Sequence, residues 1–185
     1  SSLTFSFVWW RKNWKNGCVT QEVKRNYLEI SSLKDLKEIK EISKDYSLEL
    51  LNPTNFQLNK FFYKNVGKKH HWKDRLVWSE TQWVDYVSNK NVKTYIFKHK
   101  EDLAGFFELI FHKEDKETEI AYFGLLEEFQ NKKLGSYLLS EAIKISFFEN
   151  INRVWLHTCS LDHRNALNNY ISRGMKIFKT ETVVI

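Results

Sequence analysis

The sequence predicts a mixed α+β domain, a mostly antiparallel sheet flanked by helices, and three observations predict it. Past Asn91, three β-rich segments follow one another with only short charged turns between them. Before and after that run, segments with apolar residues at helical spacing alternate with further β-rich ones. Pro53 is the only proline and the six glycines are scattered, so no linker divides the 185 residues.

Taken in order, Ser32 followed by Asp35 reads as a helix start, with Leu33, Leu36, Ile39 and Ile42 at helical spacing. Tyr46–Leu51 reads as a strand closed by Asn52-Pro53. Phe56–Val66 reads as a helix ended by Gly67. Ser79 caps a second helix whose apolar face carries Trp83, Tyr86 and Val87. Lys93–Lys98, Ala104–Phe111 and Glu119–Leu126 form a meander through the turns Lys100–Asp102 and Lys113–Glu117. Leu134–Phe148 is an amphipathic helix and Arg153–Cys159 a strand. His163–Arg173 is a helix ended by Gly174, and Lys176–Ile185 is the last strand. Residues 1–45 are expected to be an N-terminal extension, an arm plus a short helix, ahead of a principal domain over 46–185.

Composition narrows the function. Hydrophobic residues make up 42 % of the chain and aromatic residues 16 %, enough to build a sizeable core. The net charge is +6, yet only six of the 29 basic residues are arginine. A nucleic-acid reader would favour Arg, whose planar fork binds phosphate and guanine bidentately. The lysine excess therefore reads as a solvated surface that also suits a polyanionic cofactor, and nucleic acid is not the expected partner. Cys18 and Cys159 match no metal spacing and read as free thiols of a reducing compartment. No apolar run reaches the roughly 18 residues of a membrane span. Ser1–Trp10 has no basic n-region, so the expected location is the cytoplasm. The aromatic, basic stretch Ser1–Lys24 lacks the helical moment of a membrane-surface anchor. It reads as an arm packed on its own domain or on a second subunit, the second of which would make a homodimer.

Two features carry chemistry by residue type alone. Glu119–Gly135 runs from a strand through an acidic-aromatic turn into a helix. The unpaired N–H groups and the dipole at such a helix start suit a pyrophosphate, although an ordinary strand-to-helix turn has the same local pattern. Glu108 is flanked by Phe106, Phe107, Leu109 and Ile110, so its carboxylate is either paired or raised in pKa.

The run Gln130-Asn131-Lys132-Lys133-Leu134-Gly135 resembles the Q/R-x-x-G-x-G/A loop of the GNAT acetyltransferase superfamily. Ala166, Tyr170 and Gly174 match that superfamily's A-x-x-x-Y-x-x-x-G helix, and the element order agrees from about Tyr46 to Ile185. His71–Arg75 and His157–His163 resemble the H-W-x-D-R and H-T-C-x-L-D-H stretches of one bacterial group. Two positions depart from the pattern. Lys133 replaces the first loop glycine, where positive φ would cost energy, and His163 stands where an asparagine is often found.

The resemblance implies a splayed sheet, acetyl-CoA as cofactor and transfer of its acetyl group to a primary amine of a small metabolite or protein. It equally admits a non-catalytic acyl-CoA-binding module on the same fold. Phe123 and Leu125 would bind the pantetheine arm through their backbone. Gln130, Asn131, Lys132, Lys133, Leu134, Gly135 and Ser136, with His163, would line the rest of the cofactor site. Tyr170 is implied as the general acid, or else it is a core aromatic. Glu119, eleven residues before Gln130, is the implied base or a solvent-facing strand end, and Glu108 is the second candidate. His71, Trp72, Asp74 and Arg75 fall where the acceptor wall is expected, or they form a structural loop. The paired histidines are followed by no ligands at zinc spacing, so no metal is expected.

Overall fold

The computed structural model describes residues 20–130, 133–162 and 165–185. Seven strands form one sheet: β1 Glu22–Ile30, β2 Tyr46–Leu50, β3 Val92–His99, β4 Asp102–His112, β5 Glu117–Leu125, β6 Arg153–Cys159 and β7 Lys176–Val184. Their order is β2-β3-β4-β5-β6-β1-β7. Every ladder is antiparallel except β5–β6. Four helices flank it: α1 Phe56–Gly67, α2 Glu80–Ser88, α3 Leu134–Ser146 and α4 Ala166–Ser172.

Side-chain alternation explains why β3 and β4 read as nearly continuous apolar runs. Phe97 and Phe107 belong to a large core under α3 with Leu138, Leu139 and Ile143. Their neighbours Ile96 and Phe106 belong to a smaller core with Phe62 and Val66 of α1 on the other face. Both faces of the central strands are covered, so both sets of residues must be apolar. Ser79 caps α2 through a reciprocal box with Gln82.

Two findings differ from the sequence reading. The helix expected from Ser32 is a single 3₁₀ turn, Leu33–Asp35, capped by the Ser32 hydroxyl. The stretch beyond it is held as a strap instead: Lys37 N–H bonds the Arg173 carbonyl (3.0 Å) and Ile39 N–H bonds Ser140 Oγ (2.9 Å). Glu22–Ile30, read as part of an arm, is an interior strand between β6 and β7. Its buried Leu28 and Ile30 feed the large core. The rest of the expected arm, including Trp9, Trp10, Trp14 and Cys18, lies outside the described residues, as does the homodimer expectation that rested on it.

Candidate active site

The parallel ladder between β5 and β6 holds only three pairs, ending at Glu119 with Trp155. Beyond that point the strands part, and Ile120–Leu125 keeps a neighbour only on its β4 side. The opening is a cavity of about 520 Å³ lined by β5, β6, the start of α3, α4 and the loop after α1.

One irregularity sets what β5 shows to this cleft. The β4–β5 register shifts at Glu108/Leu109, which leaves Ala121 as an unpaired bulge residue. Before the bulge, Ile120 faces the large core. After it, Phe123 and Leu125 do, while Tyr122 joins the smaller core. Simple alternation from Glu119 therefore fails: Glu119 and Phe123 lie on opposite faces. The N–H of Leu126 bonds the Ala104 carbonyl on β4 (2.8 Å). Alternation then turns the N–H groups of Phe123 and Leu125 toward the cleft. The Leu125 carbonyl accepts from Gln130 Nε2 (3.3 Å), and Gln130 lines the cavity.

The start of α3 lies in the same wall. Lys133, at its N-terminus, takes φ 60° and ψ 9°, the left-handed conformation that a glycine adopts without penalty. Lys133→Gly should relieve this strain and raise stability by up to about 1 kcal/mol, seen as a higher denaturation midpoint. Gly135 has no such backbone need. A Cβ there would meet nothing closer than 3.8 Å, at Asn169 and Leu125. Alanine would suit the helix better by about 1 kcal/mol, so the bare backbone leaves room on the cavity side. Ser136 Oγ donates to Asn169 Oδ1 (3.1 Å) and ties α3 to α4. Gly135, Ser136 and Lys133 line the cavity, whereas Leu134 is buried in the core behind them. Asn131, Lys132 and His163 lie outside the described residues.

Tyr170 of α4 lines the cavity and packs edge-on to Phe123, with ring centroids 6.5 Å apart. Burial, with Asp162 second, pushes its phenol well above the ordinary range. Across the cleft, β6 offers His157 and Cys159 on the face opposite its core residues Leu156 and Thr158. The His157 ring keeps an exposed surface at the cleft, yet protein crowds around it. That crowding first, and Arg25 second, lower its pKa below the usual 6.5. His157 opens the His157–His163 stretch singled out in the sequence, but nothing there marks it as a base; only the parting of β5 and β6 brings it to the cavity. Burial raises the Cys159 thiol, with Asp162 adding to the effect.

Neither glutamate lines the cavity. Glu119 bonds His112 Nε2 (3.1 Å), and His112 stacks on Trp155. Glu108 is wholly buried beneath the loop after α1. Its carboxylate accepts from Arg75 (2.8 Å), the Tyr86 hydroxyl (2.7 Å) and Asn59 (3.0 Å). Being sealed and saturated, it is a corrected candidate: its carboxylate holds Arg75, Tyr86 and Asn59 and does not reach the cavity. Arg75 is likewise corrected. It is not in the cavity but sits between the rings of Tyr86 and Tyr122, each 4.1 Å from the guanidinium carbon. His71, Trp72 and Asp74 do line the cavity, joined by His70, Tyr63 and Tyr122. Trp72 lies on Gly67, where any Cβ would come within 2.6 Å of it, and packs edge-on to Tyr122.

Residues 49–175 match the sequence profile of the Acetyltransferase (GNAT) family. The chain belongs to the GNAT family. The family is one of acyltransferases whose members typically bind acetyl-CoA. No curated protein matches the chain in sequence. Among solved structures, a GCN5-related N-acetyltransferase from Sphaerobacter thermophilus is similar at TM-score 0.67 and 11 % identity. That match covers 88 % of this chain and 50 % of the other. A conserved protein from Staphylococcus epidermidis matches at TM-score 0.61 and 18 % identity, covering 89 % of this chain and 62 % of its own. An acetyltransferase of Bacillus subtilis, solved in complex with CoA, matches at TM-score 0.52 and 20 % identity over 70 % and 75 %. At these identities the similarity is one of fold. This GNAT chain spans between half and two thirds of the length of the first two. Among its described residues, no helix is long and apolar enough to cross a membrane.

Proposed function

We propose that this chain is an acetyl-CoA-dependent N-acetyltransferase acting on a primary amine. The observation that carries the reading is the parting of β5 and β6 after Glu119. It brings an open strand edge, a helix start, a buried phenol and an imidazole into one cavity. The residues present fit acetyl-CoA: the N–H groups of Phe123 and Leu125 suit an amide-bearing arm, and the room beside Gly135 suits a pyrophosphate at the start of α3. Lys133 adds positive charge there. When bound, acetyl-CoA supplies an activated acetyl group.

The chain's own residues handle protons and orientation. An incoming ammonium has no lone pair and must first lose a proton. His157 is held neutral near neutral pH and faces the cavity, so it takes that proton. Glu119, behind it, favours the imidazolium electrostatically. Tyr170 keeps its proton to high pH and would donate a hydrogen bond to the thioester sulfur of a bound acetyl-CoA. Trp72 and Tyr122 form the wall against which the acceptor lies, and Arg75 with Glu108 holds that wall from behind.

Incubating the protein with acetyl-CoA and a panel of primary amines, while following thiol release and acetylated product, tests the reading. Turnover of an amine is the expected result. Binding of acetyl-CoA without any turnover would favour a non-catalytic acyl-CoA-binding module. The pH dependence adds a sharper check. The base must be unprotonated, so kcat/KM should rise with pH through a His157 pKa below 6.5 and then level. His157→Gln should lower kcat/KM about a hundredfold and abolish that acid limb.

A further inference from the structure

We propose that Arg25 binds an anionic group on the acceptor, so that the amine entering the cleft is a small zwitterion carrying a carboxylate. This rests on the acetyl-transfer reading above and names the acceptor class that it leaves open.

Arg25 lies on β1 directly opposite Cys159 and lines the cavity. Its Nε is buried and has no hydrogen-bond partner. Among the described residues its guanidinium forms no ion pair, whereas Arg75 and Arg153 each do. Arg173 also has unpartnered nitrogens, but it lies outside the cavity. A buried donor on a permanent cation is costly to leave unmade. The carboxylates beside Arg25 are already engaged. Asp162 accepts from the Thr158 hydroxyl and from the Cys159 N–H. Glu181, opposite Arg25 on β7, accepts from the Tyr27 hydroxyl (2.6 Å) and pairs with Lys179 (3.2 Å). Glu181 feels the Arg25 charge only at a distance, so what the guanidinium lacks is a directly bonded anion, and the cavity can deliver one.

Spacing sets the size of that molecule. His157 and Cys159 share a face of β6, about 7 Å apart along the strand. Arg25 is level with Cys159. An amine at His157 and a carboxylate at Arg25 are then separated by only a few bonds, as in an amino acid. The cavity lining carries Arg25, Lys73 and Lys133 against Asp74 and Asp162, a balance that disfavours a polycation. An arginine fork matches a carboxylate in two parallel bonds, which a carboxamide cannot replace.

The test uses the whole protein, acetyl-CoA, a set of α- and ω-amino acids, their carboxamides, and spermidine. The wild type should prefer each carboxylate to its carboxamide by at least about tenfold in kcat/KM. Arg25→Gln should bring that ratio close to one, Arg25→Lys should retain part of it, and both should keep the rise in Tm caused by acetyl-CoA. Equal use of carboxamides or spermidine by the wild type would overturn the proposal. So would a preference unchanged in Arg25→Gln. Loss of the acetyl-CoA effect in both variants would also do so, because Arg25 would then serve the cofactor. Absence of transfer to any amine, with acetyl-CoA still bound, would sink the acetyl-transfer reading itself and this proposal with it.

Discussion

Replacing Tyr170 by phenylalanine should lower kcat about a hundredfold and leave the stabilisation by acetyl-CoA intact. The substitution removes one hydroxyl and keeps the ring that packs edge-on to Phe123. Burial raises the phenol, and Asp162 raises it further. Such a group is a poor source of a free proton but a dependable hydrogen-bond donor. In the proposed reaction its effect would fall on the departing sulfur, where negative charge develops, so the loss should appear in kcat more than in KM. A further consequence concerns pH: Tyr170 does not ionise in the working range, so the activity should show no alkaline limb from it. A Tyr170→Phe variant as fast as the wild type would remove this residue from the mechanism.

The largest effect on stability is expected at Arg75. Its side chain is 7 % exposed and that of its partner Glu108 is 0 % exposed. Burial disfavours the guanidinium charge, and Glu108 with Tyr86 and Tyr122 more than offsets this. Arg75→Ala leaves the Glu108 carboxylate buried without its cation and empties the space between Tyr86 and Tyr122. Breaking such a pair from one side costs about 3–5 kcal/mol. For a chain of this size that corresponds to a fall in Tm of roughly 10 °C. The double variant Arg75→Met, Glu108→Leu should recover much of the loss, because no unpaired charge remains. Thermal or urea unfolding of the wild type and both variants checks this. A loss under about 1 kcal/mol in Arg75→Ala would mean that water reaches the pair.

Periodicity made most of the fold legible in the sequence. The meander β3–β5, helices α1–α3 and the last two strands follow from periods of two and 3.6, with Ser79, Gly67 and Gly174 as punctuation. Where periodicity misled, a tertiary cause is visible. Leu36, Ile39 and Ile42 have helical spacing, yet the strap they lie on is drawn out by bonds to Arg173 and Ser140. The strand β1 escaped notice because Arg25, Tyr27 and Glu29 face the cleft side of the sheet and break an apolar pattern. The turn into α3 was legible through Gln130 and Gly135, which both line the cavity, and the backbone of Lys133 takes the conformation that a glycine would have supplied. The proposed acid–base groups were less so. The bulge at Ala121 reverses which side chains of β5 share a face, and no local pattern announces it. Glu108 looks like a site residue because charge in an apolar strand is unusual, and Arg75 because it ends the His71–Arg75 stretch after α1. The reason for their presence is each other.

Thermal unfolding with and without millimolar acetyl-CoA, on the wild type and on Gly135→Leu, tests the central claim most directly. A ligand at about a hundred times its Kd stabilises the folded state by about 2.7 kcal/mol. For this chain that is a rise in Tm of roughly 5–10 °C. The wild type should show it. Gly135→Leu should fold, because a Cβ there meets nothing closer than 3.8 Å and Gly135 borders the cavity, and should lose the rise. A wild type that gains nothing from saturating acetyl-CoA, or a Gly135→Leu variant that gains as much as the wild type, would contradict the assignment of this cleft.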